Sequence, residues 1–180
     1  MKRSLILLSA AGAVGASALL FTGAQAQVMK NHDSNAPVNF SADRIEVQDR
    51  ADRVVVSGNV VVTQAGMTLN AARMTVAYRN GVGDNGVEVD RIDASGNVVV
   101  TKGDQTARGN VAIYDLNSRL ITMLGNVTLT QGANRLTGGR VVMDLTSGRS
   151  TVDGRSAGGG VSGGSGGRVS GTFTVPQRKN

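Results

Sequence analysis

The chain has 180 residues, of which 40% are hydrophobic and 3% are aromatic, and its formal net charge at pH 7 is +6. The absence of cysteine excludes disulfides and thiol chemistry. The single histidine, His32, is too few for a histidine-based zinc site or a Ser-His-Asp triad in the core. We therefore expect a protein that is not an enzyme, with no catalytic residue, no metal site and no cofactor.

The first 26 residues have the pattern of a secretory signal peptide. Lys2 and Arg3 precede an apolar run from Leu5 to Phe21, and Ala24-Gln25-Ala26 supplies the small residues of a cleavage site. The alternative, an uncleaved membrane anchor, is disfavoured by the glycines in the run and by the site that follows it. We expect an exported protein without a nucleic-acid partner. Removal of Lys2 and Arg3 with the leader lowers the net charge from +6 to +4.

Two phrases recur in the central part of the chain. The first is FSADRIEV at 40–47, LNAARMTV at 69–76, TARGNVAI at 106–113 and LTGGRVVM at 136–143. The second is SGNVVVT at 57–63 and again at 95–101, and LGNVTLT at 124–130. Self-similarity at intervals of about 30 to 40 residues is typical of stacked copies of one β unit. The pattern predicts an all-β domain over 38–154, between a flexible segment over 27–37 and a glycine-rich, basic, flexible tail over 155–180.

The Gly-Asn pair inside the second phrase has two interpretations. As a two-residue hairpin, it would place Val55 opposite Val62. As part of a continuous strand, it leaves the even-numbered residues from Ile92 to Val100 on one face and the polar odd-numbered residues Asp93 to Asn97 on the other. The continuous strand separates polar from apolar residues more cleanly and is favoured. A glycine within a strand then marks a bend or a bulge.

The first phrase changes parity in its middle. Leu69 and Ala71 alternate onto one face, whereas Met74 and Val76 alternate onto the other. A bulge near Ala72-Arg73 would bring all four residues to the interior. Equivalent bends in every copy curl a sheet around its own core. They predict a curved antiparallel β-jelly-roll that is open at both ends.

An unclosed sheet has two edges with unpaired backbone groups. We expect these edges at Asn39–Val47 and Leu136–Asp144, with Thr172–Val175 as a terminal edge strand. Pairing of one edge with the other edge of a second copy is a heterologous contact that builds rods. The alternative is that the residues after the leader and the tail cover the edges.

The predicted interior surface is aliphatic. Such a surface suits hydrocarbon chains, whose burial stabilises by about 0.8 kcal/mol per methylene, or on the order of 10 kcal/mol for a dozen methylenes before ordering costs. For any single residue, an ordinary core role is the alternative. The predicted lipid-binding residues of the interior are Ile45, Val47, Val54, Val56, Val60, Val62, Leu69, Met74, Val76, Ile92, Val98, Val100, Val111, Ile113, Ile121, Met123, Val127, Leu129, Val141 and Met143.

Three arginines hold the same place in the first phrase: Arg44, Arg73 and Arg140. The favoured interpretation is that they form salt bridges on the surface. The alternative is a basic ladder beside the groove that contacts lipid phosphates in bidentate fashion.

The phrases VVVSGNVVVTQ at 54–64 and LNAARMTV at 69–76 closely resemble the OstA-like domain family of periplasmic lipopolysaccharide-transport proteins. The resemblance extends over about 38–154 and implies a periplasmic β-jelly-roll that binds the acyl part of lipopolysaccharide in its interior. It also implies end-to-end self-assembly. Such a rod links an inner-membrane, bitopic LptC-like protein to an outer-membrane LptD-like translocon, in outer-membrane biogenesis. The alternative function is that of a structural β-repeat protein that self-assembles in the periplasm and carries no lipid.

Overall fold

Ten strands form one antiparallel sheet in the computed structural model, which describes residues 32–81, 86–154 and 167–174. The strands are β1 (Asn39–Ser41), β2 (Arg44–Gln48), β3 (Arg53–Gln64), β4 (Met67–Asn80), β5 (Val87–Lys102), β6 (Gln105–Asp115), β7 (Leu120–Gln131), β8 (Asn134–Asp144), β9 (Arg149–Asp153) and β10 (Ser170–Thr172). A 3-10 turn at Asp49–Ala51 is the only helical element of the described part, and no helix there is long and apolar enough to cross a membrane. The all-β prediction is confirmed. The predicted leader and most of the predicted tail lie outside the described residues.

The strand order follows the chain. Strands β3 to β8 are consecutive neighbours, and at one end of the sheet β1 and β2 pair with opposite halves of β3. At the other end, β9 and β10 pair with opposite halves of β8. The turn between β3 and β4 shows why so tight a connection forms. Ala65 (φ 45°) and Gly66 (φ 76°) both adopt the left-handed backbone that two-residue hairpins require.

The long strands bend near their middle, at a row of β-bulges. In β3, Gly58 (φ 77°) and Asn59 (φ 46°) interrupt the register with β4 between Ser57 and Val60. The same shift occurs at the Gly-Asn pairs of β5 and β7. The continuous-strand interpretation is therefore confirmed, and the hairpin alternative is wrong. The bulge expected near Ala72-Arg73 is also confirmed, because the register between β4 and β5 shifts in that region.

The bulge row divides the sheet into two layers. The first layer contains residues 44–57, 73–80, 87–95, 111–124 and 140–153, and the second contains 39–41, 60–71, 98–109, 127–138 and 170–172. Apolar side chains of both layers belong to one buried cluster. Tyr114 of β6 also hydrogen-bonds to Gln64 of β3, although β3 and β6 are not neighbours in the sheet. The layers therefore pack face to face around a shared core, which confirms the jelly-roll architecture.

The edges of the sheet differ in part from the prediction. The N-terminal edge at β1 and β2 is where the sequence placed it. The prediction that Leu136–Asp144 forms the other edge is wrong, because β9 and β10 both pair with β8 and cover it. The terminal edge strand lies at Ser170–Thr172, two residues before the expected start. Residues that follow the repeats thus cover the C-terminal edge.

Candidate functional site in the apolar interior and its polar rim

Most of the predicted interior residues are buried between the two layers. Met74, Ile92 and Met123 are fully buried in the first layer, and Val98 and Val100 are fully buried in the second. Alternation along bulged strands explains this placement, since each bulge keeps apolar residues on the same face before and after the bend. The buried members of the predicted set are Val56, Val60, Val62, Leu69, Met74, Val76, Ile92, Val98, Val100, Ile121, Met123, Val127, Leu129, Val141 and Met143.

The interior prediction is wrong for Val111 and Ile113. These residues pair with Ser95 and Asp93 and lie on the outer face, while Ala112 and Tyr114 are buried in their place. The cause is the bulge at Gly109-Asn110, which reverses the parity of β6 just as the bulge in β4 does. Tyr114 is amphipathic, and its hydroxyl finds a buried partner in Gln64.

Ile45 and Val47 have the predicted orientation but not the predicted burial. Their register with Val56 and Val54 places them on the interior-facing side of the sheet. They are nevertheless 51% and 60% exposed, because β2 is the edge strand and the core ends beside it. Val54 is partly buried and packs against the core. The apolar interior surface thus continues to the edge of the sheet.

A row of mostly polar residues borders the interior at the turn ends of the second-layer hairpins. The register places Gln64 beside Met67, Met67 beside Lys102, and Lys102 beside Gln105. Gln131 and Asn134 complete the row. We refer to these six residues as the polar rim. Gln64 and Gln105 are 3% and 6% exposed, which is unusual for amide side chains.

Hydrogen bonds join the polar rim to the first layer and to the segment before β1. The Tyr114 hydroxyl donates to Gln64 Oε1 at 2.8 Å, and His32 Nε2 lies 3.1 Å from the same oxygen. Gln64 Nε2 donates to the carbonyl oxygens of Ser34 at 3.0 Å and Ala36 at 2.9 Å. Residues 32–36, which fall in the segment predicted to be flexible, are therefore held against the rim near β3.

A cleft of about 640 Å³ lies beside this segment. Its lining includes Gln64, Arg79, Val89 and Leu116. Arg79 forms ion pairs with Glu88, at 2.7 Å, and with Asp90. The cleft thus has a mixed polar and apolar lining that includes residues of both layers.

The three arginines of the repeats lie on the outer face of the first layer. Arg44 and Arg73 both pair with Ser57, whose neighbour Val56 points to the interior. Arg140 pairs with Asp153, and its Nη1 atom lies 3.9 Å from Asp153 Oδ2. Arg44 Nη2 lies 3.9 Å from Glu46 Oε2. The surface salt-bridge interpretation therefore fits Arg44 and Arg140. A basic ladder beside the groove is not formed by these residues.

The sequence interpretation missed the polar rim. A signal was present, because each second-layer hairpin carries a polar residue at an interior-facing position next to its turn: TQAGM at 63–67, TKGDQ at 101–105 and TQGAN at 130–134. Their place in the sequence is typical of turns, where polar side chains are usual. Only the register shows that they point toward the space between the layers.

Both edges of the sheet expose apolar side chains. At the N-terminal edge, Phe40 in β1 is 44% exposed, and Ile45 and Val47 in β2 are exposed as well. Val169 and Phe173, which flank β10, are 42% and 52% exposed at the other edge. Exposed apolar groups on an edge strand favour contact with another chain.

Comparisons with known proteins agree with this architecture. The family model described as LptA/(LptD N-terminal domain) LPS transport protein matches residues 39–149. An uncharacterized protein of Rhizobium meliloti (strain 1021) is 30% identical over 124 residues, which are 67% of this chain and 67% of that protein. The crystal structure of LptH from Pseudomonas aeruginosa, the LptA-homologous periplasmic component of its lipopolysaccharide transport device, is 20% identical and superposes with a TM-score of 0.68 over 80% of this chain and 99% of that one. The chain therefore belongs to the LptA/LptD N-terminal domain family of lipopolysaccharide transport proteins.

Proposed function

We propose that this protein is a periplasmic bridge component that binds lipopolysaccharide, with the lipid A acyl chains held between the two layers of the folded sheet. The observation that carries the proposal is the aliphatic surface that runs across β3 to β8 without a charged residue among its fully buried members. Membership of a lipopolysaccharide transport family supports it. A smooth apolar surface buries acyl chains equally well at any position along it. This property suits a protein that passes lipid along its length.

Acyl chains enter this interior by separating the layers. The interior side chains contact one another in the structure, and Val56, Met74 and Ile92 have no exposed surface. An acyl chain that replaces contacts between layers keeps the same side chains away from water, so the cost of opening is offset by the burial of the chain itself. Met74 and Met123 adapt to a new neighbour because their side chains are unbranched and polarizable. The bulge row is the hinge for this motion.

The edges of the sheet are the proposed sites of assembly. Among the described residues, strands β1 and β2 at one edge and β9 and β10 at the other each pair with a strand on one side only, so their outward N–H and C=O groups face no other described strand. Contact between unlike edges extends the sheet from copy to copy and keeps the apolar interior continuous. An LptC-like protein of the inner membrane and an LptD-like translocon of the outer membrane are the proposed partners at the two ends.

Photo-crosslinking tests the placement of the lipid. A benzophenone amino acid at Val60, Ile92 or Met123, all interior, is expected to form adducts with lipopolysaccharide in the periplasm. The same amino acid at Val61 or Val99, which lie on the outer face, is the matched control and is expected to form few. Equal labelling from both faces would contradict the proposal.

The exposed apolar groups at both edges favour a second candidate, a structural protein that assembles and carries nothing. Assembly that persists without adducts from any interior position would support this alternative. Mass spectrometry of the molecules that co-purify with the protein from the periplasm separates the two candidates independently.

A further inference from the structure

Lys102 is an isolated cation at the edge of the apolar interior. It is the one lysine within residues 32–81, 86–154 and 167–174, and it ends β5 two residues after the fully buried Val100. The alternation of β5 therefore directs its side chain toward the space between the layers. Its Nζ atom is buried and has no hydrogen-bond partner among the described residues. Burying an ammonium group without a partner costs free energy, so Lys102 does not stabilise the fold at this position. A role in binding is the remaining reason for a lysine here.

Two further polar atoms near the rim are in the same state. Ser34 Oγ and His32 Nδ1 are buried and make no hydrogen bond of ordinary geometry in the described part of the chain, although the Ser34 side chain is near enough to the Tyr114 hydroxyl to act on its pKa. Both residues belong to the segment that Gln64 holds against the rim, through the Ser34 carbonyl and His32 Nε2. Three of the five buried side-chain atoms without a partner in the described residues thus belong to Lys102 and to this segment; the other two, Arg140 Nε and Ser150 Oγ, lie in β8 and β9.

The electrostatic environment agrees with this picture. Burial lowers the pKa of the Lys102 amino group below its ordinary value. Burial also lowers the pKa of His32; the positive charge of Lys102 adds to this effect, and the hydrogen bond with Gln64 and the negative charge of Asp33 oppose it. No acidic residue belongs to the six-residue polar rim; Asp104 lies in the turn that follows Lys102, and Asp33 lies near His32. An anion bound here would offset the desolvation of the ammonium.

We propose that the polar rim around Lys102 is the site for a phosphate group of the bound amphiphile. The proposal rests on the proposed function: with acyl chains between the layers, the phosphorylated head lies at the edge of that space, where Lys102 Nζ and the Ser34 hydroxyl donate hydrogen bonds to phosphate oxygens. The bound lipid therefore has one orientation between the layers, with its phosphorylated head at the polar rim and its acyl chains toward the bulge row. This assigns phosphate recognition to the rim, whereas the repeated arginines lie on the outer face.

The test compares two lipids and two variants of the mature chain. Binding of lipid A and of lipid A without its phosphates is measured for the wild type, for Lys102→Met and for Arg108→Gln. The last variant is the matched control, because Arg108 is an exposed cation on the outer face of the same layer. The wild type is expected to bind the phosphorylated lipid about tenfold more tightly, as one charge-assisted hydrogen bond supplies.

Lys102→Met is expected to abolish this preference while its affinity for the dephosphorylated lipid stays within about twofold of the wild type. Arg108→Gln is expected to keep the preference. A preference that survives in Lys102→Met would overturn the headgroup site, whereas a wild type that binds neither lipid would overturn the proposed function and the site with it. The melting temperature of Lys102→Met should equal or exceed that of the wild type, because an unpaired buried ammonium is removed.

Inorganic phosphate distinguishes a lipid headgroup from a free anion. Calorimetric titration of the unloaded wild type with inorganic phosphate is expected to give no saturable heat, because the acyl chains supply most of the affinity. Saturable binding that is lost in Lys102→Met would assign the rim to free phosphate and overturn the headgroup assignment.

Discussion

Gly96→Ala is predicted to destabilise the domain more than Gly66→Ala, although the two glycines have nearly the same backbone conformation. Gly96 has φ 82° and lies in the bulge row, whereas Gly66 has φ 76° and lies in the turn between β3 and β4. Placing alanine in this left-handed region costs about 1–2 kcal/mol at either site. The two sites differ in the space available for the new methyl group.

A Cβ at Gly96 would lie 2.8 Å from Ala72 Cβ, while a Cβ at Gly66 would have no heavy atom within 4 Å. Overpacking of this kind adds about 1–3 kcal/mol, so Gly96→Ala should cost about 2–5 kcal/mol and Gly66→Ala about 1–2 kcal/mol. Urea denaturation monitored by circular dichroism measures both values.

A double-mutant cycle isolates the contact. Ala72→Gly removes the methyl group that Gly96→Ala would strike, so the double variant should be more stable than the sum of the single effects implies, by about 1–2 kcal/mol. Equal losses of stability for Gly96→Ala and Gly66→Ala, together with additive behaviour in the cycle, would refute the close approach of Gly96 to the Ala72 methyl group.

Three further predictions concern the interior, the rim and the N-terminal segment. Ile121→Asp should reduce lipid binding in a filtration assay far more than Thr122→Asp, since only Ile121 faces the interior; similar retention by both would contradict the face assignment. Tyr114→Phe should lower the unfolding free energy in urea by about 1 kcal/mol through loss of the 2.8 Å hydrogen bond to Gln64, and an unchanged midpoint would count against that bond. Because burial lowers the pKa of His32 below 6.5, the unfolded chain takes up the proton first; the unfolding free energy should fall as the pH drops below about 6.5, and His32→Gln should abolish that slope.

The face of each strand could be predicted wherever apolar residues alternate on both sides of a bulge. In β4, Leu69 and Ala71 before the bend and Met74 and Val76 after it leave one arrangement that buries all four. In β6, the residues that would reveal the same slip are Ala112 and Tyr114, which are small or amphipathic, so the larger Val111 and Ile113 appeared to be the interior pair. Hydrophobicity alone fails where the buried side of a strand is less apolar than the exposed side.

The polar rim and the C-terminal edge depend on contacts between distant parts of the chain. Lys102 lies next to a turn in the sequence, and only the register of β5 with its neighbours shows that it points between the layers. Similarly, Ser170–Thr172 pairs with Leu136 and its neighbours across a glycine-rich stretch that local propensity treats as a linker. Which strand a distant segment pairs with depends on which edge remains open once strands β3 to β8 have formed the sheet.

The most direct test of the account is the distance between the two layers with and without lipid. The chain contains no cysteine, so two introduced cysteines are the only attachment sites for spin labels. Suitable outward-facing positions are Thr63→Cys in the second layer and Thr122→Cys in the first. The separation of layers proposed here predicts that the distance measured by pulsed electron paramagnetic resonance increases when lipid A binds. A distance that stays unchanged while lipid A is demonstrably bound would contradict the account, because the acyl chains would then lie outside the interior.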